Sequence, residues 1–162
     1  MGRDKLWVWA GKSGGGEVGL AGVQADGEIK DAAQYQEIVK QKMGEVRRGA
    51  TKVIVVLSKE VLYWRTEPAM GGRVNLGALK DFVSGLPIPS GKLASNFFAG
   101  QEELGVVAVN RDLFTVLTEE LQKLGWEVTA VVPEVVVGEV TGENWQELFG
   151  ARQKLVKESG IL

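Results

Sequence analysis

Apolar and polar positions along the chain recur with enough regularity to mark its elements. Residues 5–10 are aromatic and aliphatic and predict a strand, with Trp7 and Trp9 on one face and Leu6, Val8 and Ala10 on the other. The glycine-rich stretch at residues 11–16 predicts a loop and residues 17–23 a returning strand. Asp26 and Gly27 carry a turn signal, followed by a short third strand at Ile29. Asp31 then caps a helix in which Tyr35, Ile38, Val39, Met43 and Val46 fall at i, i+3, i+4, i+8 and i+11. Arg47 and Arg48 suit its negative end, and Gly49 its stop. The strand predicted over 52–57 is apolar from Val53 to Leu57 and rich in β-branched residues, as expected where both faces of a strand are covered.

The next stretch alternates shorter elements. Residues 61–66 predict a strand ended by Glu67 and Pro68, and Asn75 a cap for a short helix presenting Leu76, Leu79, Phe82 and Val83. Leu86, Pro87, Ile88 and Pro89 form a stiff extended link. Strands over 93–99 and 104–109 follow. Asn110 opens a helix with Leu113, Phe114, Leu117, Leu121 and Leu124 on one stripe, closed by Gly125, and a strand over 126–132 stops at Pro133. Last comes an amphipathic helix from about residue 144 to 157, with Trp145, Leu148, Phe149, Leu155 and Val156 on one side.

This order is β-β-β-α-β, a β-α-β-β block, then α-β and a terminal helix. With the block set aside, the remainder has the ribonuclease-H-like order, so the pattern predicts an α/β sheet with a small inserted α+β unit. The expected boundaries are 1–60 and 110–140 for the ribonuclease-H-like half-lobe, 61–109 for the inserted strand-helix-strand-strand subdomain, and 141–162 for the C-terminal amphipathic helix.

Composition narrows the chemistry. The chain has 162 residues, 44% of them apolar and 25% charged, with a net charge of −2; that balance suits a globular domain and gives no pull toward nucleic acid or anionic lipid. It contains no Cys and no His, which excludes Ser-His-Asp and Cys-His catalysis, thiolate or imidazole metal sites and disulfides. The longest uninterrupted apolar runs, Leu6 to Ala10 and Val53 to Leu57, have five residues each, far short of the ~20 residues of a membrane span. The N-terminus lacks the apolar core of a signal peptide, so a cytoplasmic location is expected.

Three constellations invite a chemical reading. Gly11, Lys12, Ser13 and Gly14 suggest a phosphate loop, but the P-loop needs a glycine at the position of Leu6 and a helix afterwards, and here another strand follows; a hairpin tip is the plainer reading. The pairs Glu102, Glu103 and Glu119, Glu120 would serve acid–base work only if they converged in a sheltered cleft; solvated charge is expected, the second pair facing away from the leucine stripe. Lys40, Lys42, Lys52, Arg47 and Arg48 form a local basic patch, but the basic balance that nucleic-acid binding requires is absent. Tyr63 and Trp64, like Phe97 and Phe98, are neighbours in a strand and point to opposite faces, so one of each pair is expected in the core and the other partly exposed.

A family resemblance rests on several of these segments. The run KVIVVLSKEVLYWRTEP at 52–68 resembles the strand, turn, strand and proline of the actin-like assembly proteins of type IV pili and type II secretion, PilM-like and GspL-like, with FtsA more distant. LKDF at 79–82 with LPIP at 86–89 resembles the helix and link of their inserted subdomain. GVVAVNRDL at 105–113, LQKLGWEV at 121–128 and VPE at 132–134 resemble the return into the lobe. The likeness spans residues 49–134, roughly half the chain. It departs from the ATP-binding members at residues 9–14, WAGKSG, where no acid precedes the glycine that in those members follows a metal-serving Asp.

The resemblance implies an actin-like first lobe with its insert, and a non-catalytic cytoplasmic adaptor that binds other components of a type IV pilus or type II secretion machine without a cofactor or metal. The expected partners are proteins, a membrane-anchored component or the assembly ATPase, with a homo-oligomer as a further option; neither nucleic acid nor a membrane span is expected. Relatives dock a partner against the lobe and its insert, and the residues here suited to line that groove are Trp64, Phe82, Leu86 and Ile88. The alternative is a nucleotide-binding or hydrolysing enzyme that uses the loop at Gly11 to Gly14 and a carboxylate such as Asp26. A second lobe is expected to be missing where the chain stops, which also speaks against hydrolysis.

Overall fold

The computed structural model describes residues 5–9, 15–20, 24–25, 28–46, 52–68, 75–99 and 102–138. Its elements are β1 (Lys5–Trp9), β2 (Gly15–Gly19), β3 (Gln24–Ala25), β4 (Glu28–Ile29), α1 (Ala32–Val46), β5 (Lys52–Leu57) and a 3-10 turn at Lys59–Val61. There follow β6 (Tyr63–Pro68), α2 (Leu76–Ser84), a second 3-10 turn at Ser90–Lys92, β7 (Leu93–Ala99), β8 (Glu103–Asn110), α3 (Arg111–Lys123), β9 (Glu127–Pro133) and a single helical turn, α4 (Glu134–Val137). The chain is mixed α/β. The glycine loop at 11–14, Asp26, Arg47, Arg48, Gly49 and the helix expected within 141–162 lie outside the described residues.

Helix α3 shows how local chemistry sets an element. The Asn110 side chain accepts a hydrogen bond from the Asp112 amide (3.1 Å) and starts the helix. At the other end the Gly125 amide donates to the Gln122 carbonyl and the Trp126 amide to the Leu121 carbonyl, both at 2.9 Å. That double return is the Schellman stop; it places Gly125 at φ +82°, where a side chain is strained. Leu121 and Trp126, brought side by side, are both in the core.

One core cluster joins most elements. Tyr35, Val39 and Met43 of α1, Leu113, Phe114, Leu117 and Leu121 of α3, Val55 and Leu57 of β5, and Val131 of β9 are all buried in it. Strands β5 and β9 pair in parallel, with Val55 and Leu57 of the β-branched run buried. The register slips between Val53 and Ile54, which leaves Thr129 as the extra residue on β9. Its hydroxyl donates to the Val53 carbonyl at 3.0 Å, so the slip keeps that group satisfied.

Several expectations are corrected. Among the described residues the N-terminal strands make two separate antiparallel pairs, β1–β2 and β3–β4. Strand β2 begins at Gly15, because Trp9 pairs with Gly15 and Val8 with Gly16; the partner strand draws glycines into the ladder against their propensity. Val61 belongs to a 3-10 turn, whose Ser58 cap accepts from the Glu60 amide. Glu120 is buried instead of solvated, and its carboxylate lies 3.4 Å from the Lys123 ammonium. Helix α3 packs against both α1 and β9, so its covered arc is wider than the leucine stripe alone indicates.

Candidate partner-binding surface

The second sheet is antiparallel with the order β6–β8–β7. Its middle strand is buried at every position from 105 to 110, which the small and β-branched residues there allow. Directly opposed residues share a face. Val107 stands between Trp64 and Asn96, Gly105 between Thr66 and Phe98, and Val109 beside Ala94. This face turns toward the main core, which contains Val107, Val109 and Ala94 and has Phe98 packed against it. Ala108 stands between Tyr63 and Ser95 and Val106 between Arg65 and Phe97 on the opposite face, where α2 packs across β6 and β8 with Leu79 fully buried.

Gly105 is a strand glycine with a steric reason. The Phe98 ring lies across it, and a β-carbon there would stand 2.5 Å from Cε1 and 2.6 Å from Cε2 of that ring. The missing side chain lets Phe98 fold inward and leaves Phe97 on the outer face, 44% exposed.

The four residues singled out from sequence do not form one cluster. Trp64 sits on edge strand β6, on the core-side face, opposite Val107, and is 48% exposed. Phe82 belongs to α2 on the other side of the sheet, and Leu86 and Ile88 follow in the link; all three are half-buried. The link is held at its ends, since the Leu86 amide donates to Val83 (3.3 Å) and the Lys92 amide to Pro89 (2.8 Å). Tyr63 is 40% exposed, so neither member of the Tyr63, Trp64 pair is core. An edge strand has a neighbour on one side only, and alternation cannot reveal that. Leu76, expected on the buried side of α2, is 49% exposed in the first turn. Among these exposed apolar groups, Phe97 was legible in sequence once Phe98 was assigned inward; Leu76 carried no such signal.

Charged groups brace the sheet on the rest of the fold. Arg65 pairs with Glu67 on β6 at 2.6 Å. Lys92, before β7, pairs with Asp112 of α3 at 2.7 Å, and that hydrogen bond and charge hold its ammonium above its usual pKa. The Glu134 carboxylate accepts the Lys59 amide at 2.8 Å, tying the turn between β5 and β6 to the end of β9. The described members of the basic patch each face an acid: Lys40 with Glu37, Lys42 with Glu45 and Lys52 with Glu127. Glu102, Glu103 and Glu119 are exposed. Among the described residues no three acidic side chains gather as a metal site, and no helix is long and apolar enough to cross a membrane.

No protein-family model matches the chain, and no curated protein is similar to it in sequence. Among solved structures, the fold is similar to a chain of the PilM-PilN type IV pilus biogenesis complex, with a TM-score of 0.55 and 16% identity. That alignment covers 85% of this chain and 47% of the other. A second match is cyto-EpsL, the cytoplasmic domain of EpsL, an inner membrane component of the type II secretion system of Vibrio cholerae. There the TM-score is 0.45 at 17% identity, covering 86% of this chain and 54% of that one. The chain thus spans about half the length of each. The resemblance to pilus assembly proteins carried by residues 49–134 is met by this similarity of fold.

Proposed function

We propose that the chain is a non-catalytic assembly adaptor of a type IV pilus or type II secretion machine, acting on the cytoplasmic side by holding other protein components. The observation that carries this reading is the similarity of fold, over 85% of the chain, to a chain solved in a pilus biogenesis complex. On this reading residues 1–60 and 110–140 form an actin-like half-lobe and residues 61–109 its insert, the chain crossing between them at the Ser58 to Leu62 turn and at Asn110. The absence of an acid before Gly11 argues against nucleotide turnover.

The partner surface is centred on Trp64, a half-exposed indole at the rim where the β6–β8–β7 sheet meets the core. Phe82 lies on α2, which packs across β6 and β8, and Leu86 and Ile88 follow in the link that leads to β7 at the other edge of the sheet, so a partner touching all four has to reach around the sheet. The link of Leu86 and Ile88 is held by Pro87, Pro89 and its end turns, so little freedom is lost on docking. Tryptophan is also the residue type most often found as an interface anchor. A membrane-anchored machine component is the favoured partner, with the assembly ATPase as the other candidate.

The test is capture of the machine components encoded beside the protein. Trp64→Ala and Ile88→Ala are expected to weaken capture by about tenfold or more, about 1.4 kcal/mol, with the melting temperature nearly unchanged. Loss of stability with binding per folded molecule intact would return these residues to the core. Micromolar binding of Mg-ATP in a calorimeter, abolished by Lys12→Ala, would replace the adaptor with a nucleotide enzyme.

A further inference from the structure

The sheet β6–β8–β7 has two end strands, and their compositions differ. Strand β6 carries Arg65, Glu67 and Pro68, the charges and proline that keep a strand edge from pairing with another chain. Strand β7, LASNFFA, has no charge and no proline. Its backbone also shows what stands at its outer edge. An amide in an antiparallel ladder points at the paired strand or away from it. The Phe97 amide donates to the Asn96 side-chain oxygen at 2.9 Å, so a side chain of β7 itself occupies the place of a further strand's carbonyl. Ser95, Phe97 and Ala99 share that parity and turn their amides and carbonyls the same way. All three are exposed.

We propose that this edge is a self-pairing site, where β7 adds antiparallel to β7 of a second copy about a two-fold axis at Asn96. Outward groups must meet outward groups. The register centred on Asn96 achieves this along the whole strand, with Ser95 opposite Phe97 and Leu93 opposite Ala99 of the other copy. The second copy's Ser95 carbonyl then takes over the Phe97 amide from the Asn96 side chain. The two Phe97 rings, 44% exposed in the single chain, fall on the diagonal of the new strand pair, within reach of each other. Charge selects a second copy as the occupant. Lys92 precedes β7, and the Arg111 guanidinium lies 3.5 Å from the Leu93 carbonyl at its start. Glu102 and Glu103 follow its end and are exposed. Antiparallel pairing sets the basic start of each strand toward the acidic exit of the other, with no like charges facing each other between the strands. This proposal goes beyond the adaptor reading, and its test uses no machine component.

The chain has no Cys, so one introduced thiol reports the contact. Asn96→Cys puts the thiol on the two-fold axis, opposite itself, and oxidation is expected to join two chains there, since a disulfide needs Cα atoms within about 7 Å. Tyr63→Cys, on the β6 edge, is the control and is expected to remain a single chain. Without oxidation, sedimentation of the full chain from about 10 μM to about 1 mM is expected to show monomer passing to dimer, the range suited to a contact as small as one strand edge. Phe97→Lys is expected to raise the dissociation constant about tenfold or more, and Tyr63→Lys to leave it unchanged. A monomer at every concentration, a dimer indifferent to Phe97→Lys, or cross-linking of Asn96→Cys no better than of Tyr63→Cys would overturn the proposal. If Asn96→Cys does not fold, the two lysine variants decide it.

Discussion

Tyr35 and Tyr63 are the chain's two tyrosines, and the fold treats them oppositely. Tyr63 is half-exposed on an edge strand; Tyr35 is fully buried on α1, against α3. Burial raises the Tyr35 phenol well above its ordinary value of 10.0, because the phenolate would lose its water. Below about pH 10 both folded and unfolded chains hold the proton, and the group adds no pH dependence. Above it, the unfolded chain releases the proton and the folded chain keeps it, so stability falls by about 1.4 kcal/mol for each pH unit. Two units therefore remove about 2.7 kcal/mol, a large share of the 5–15 kcal/mol typical of a domain. Tyr35→Phe keeps the ring and abolishes the ionisation. Its cost at neutral pH is about 1 kcal/mol, the usual loss for a hydroxyl's hydrogen bonding.

The assay is urea unfolding of wild type and Tyr35→Phe at a series of pH values from neutral to about pH 12, in the window the linkage defines. Lysine titration affects both proteins alike and cancels in the difference. Wild type is expected to lose stability more steeply above about pH 10, and the two curves to cross. Ultraviolet difference absorbance is expected to show the Tyr35 phenol, identified by its loss in Tyr35→Phe, ionising only as the protein unfolds. Ionisation of Tyr35 in the folded state near its ordinary value, or parallel stability curves, would refute the burial argument.

Three further perturbations test local reasoning. Gly125→Val is expected to cost about 1–3 kcal/mol, all of it backbone strain at positive φ, since the space beside the glycine is open; an unchanged melting midpoint would show that α3 ends otherwise. Gly105→Ala is expected to cost about 1–3 kcal/mol by driving a methyl into the Phe98 ring, and the double variant with Phe98→Ala to lose less than the sum of the two single changes; strict additivity would mean the ring does not rest on that glycine. Glu134→Ala is expected to cost about 1 kcal/mol by leaving the Lys59 amide without its carboxylate, and hydrogen exchange at that amide is expected to speed up; unchanged exchange would show the contact is not maintained in solution.

How much of this was legible depends on how local each cause is. Asn110 and Gly125 act on amides within a few residues of themselves, so both ends of α3 could be read from sequence. The bounds of β5 followed likewise from the uninterrupted apolar, mostly β-branched run after Lys52. Strand β2 could not be placed, because pairing with Trp9 and Val8 decides its start. The candidate surface was legible in its residue types and in the opposite faces of Phe97 and Phe98. It was not legible in the exposure of both Tyr63 and Trp64, which follows from β6 being an edge strand. Nor could sequence separate Trp64 from Phe82, since that needs α2 to choose one face of the sheet.

By itself the sequence determined where α1, α2, α3 and β5 lie, which residues cap α3, and that catalysis by His or Cys is excluded. Those are properties of short windows, of side-chain chemistry and of backbone freedom. Only the tertiary structure decided which strands pair, which faces are covered, and that Glu120 and Tyr35 are buried. Pairing and burial arise from contacts between residues far apart in the chain, and no local pattern records which of two apolar faces will find its cover.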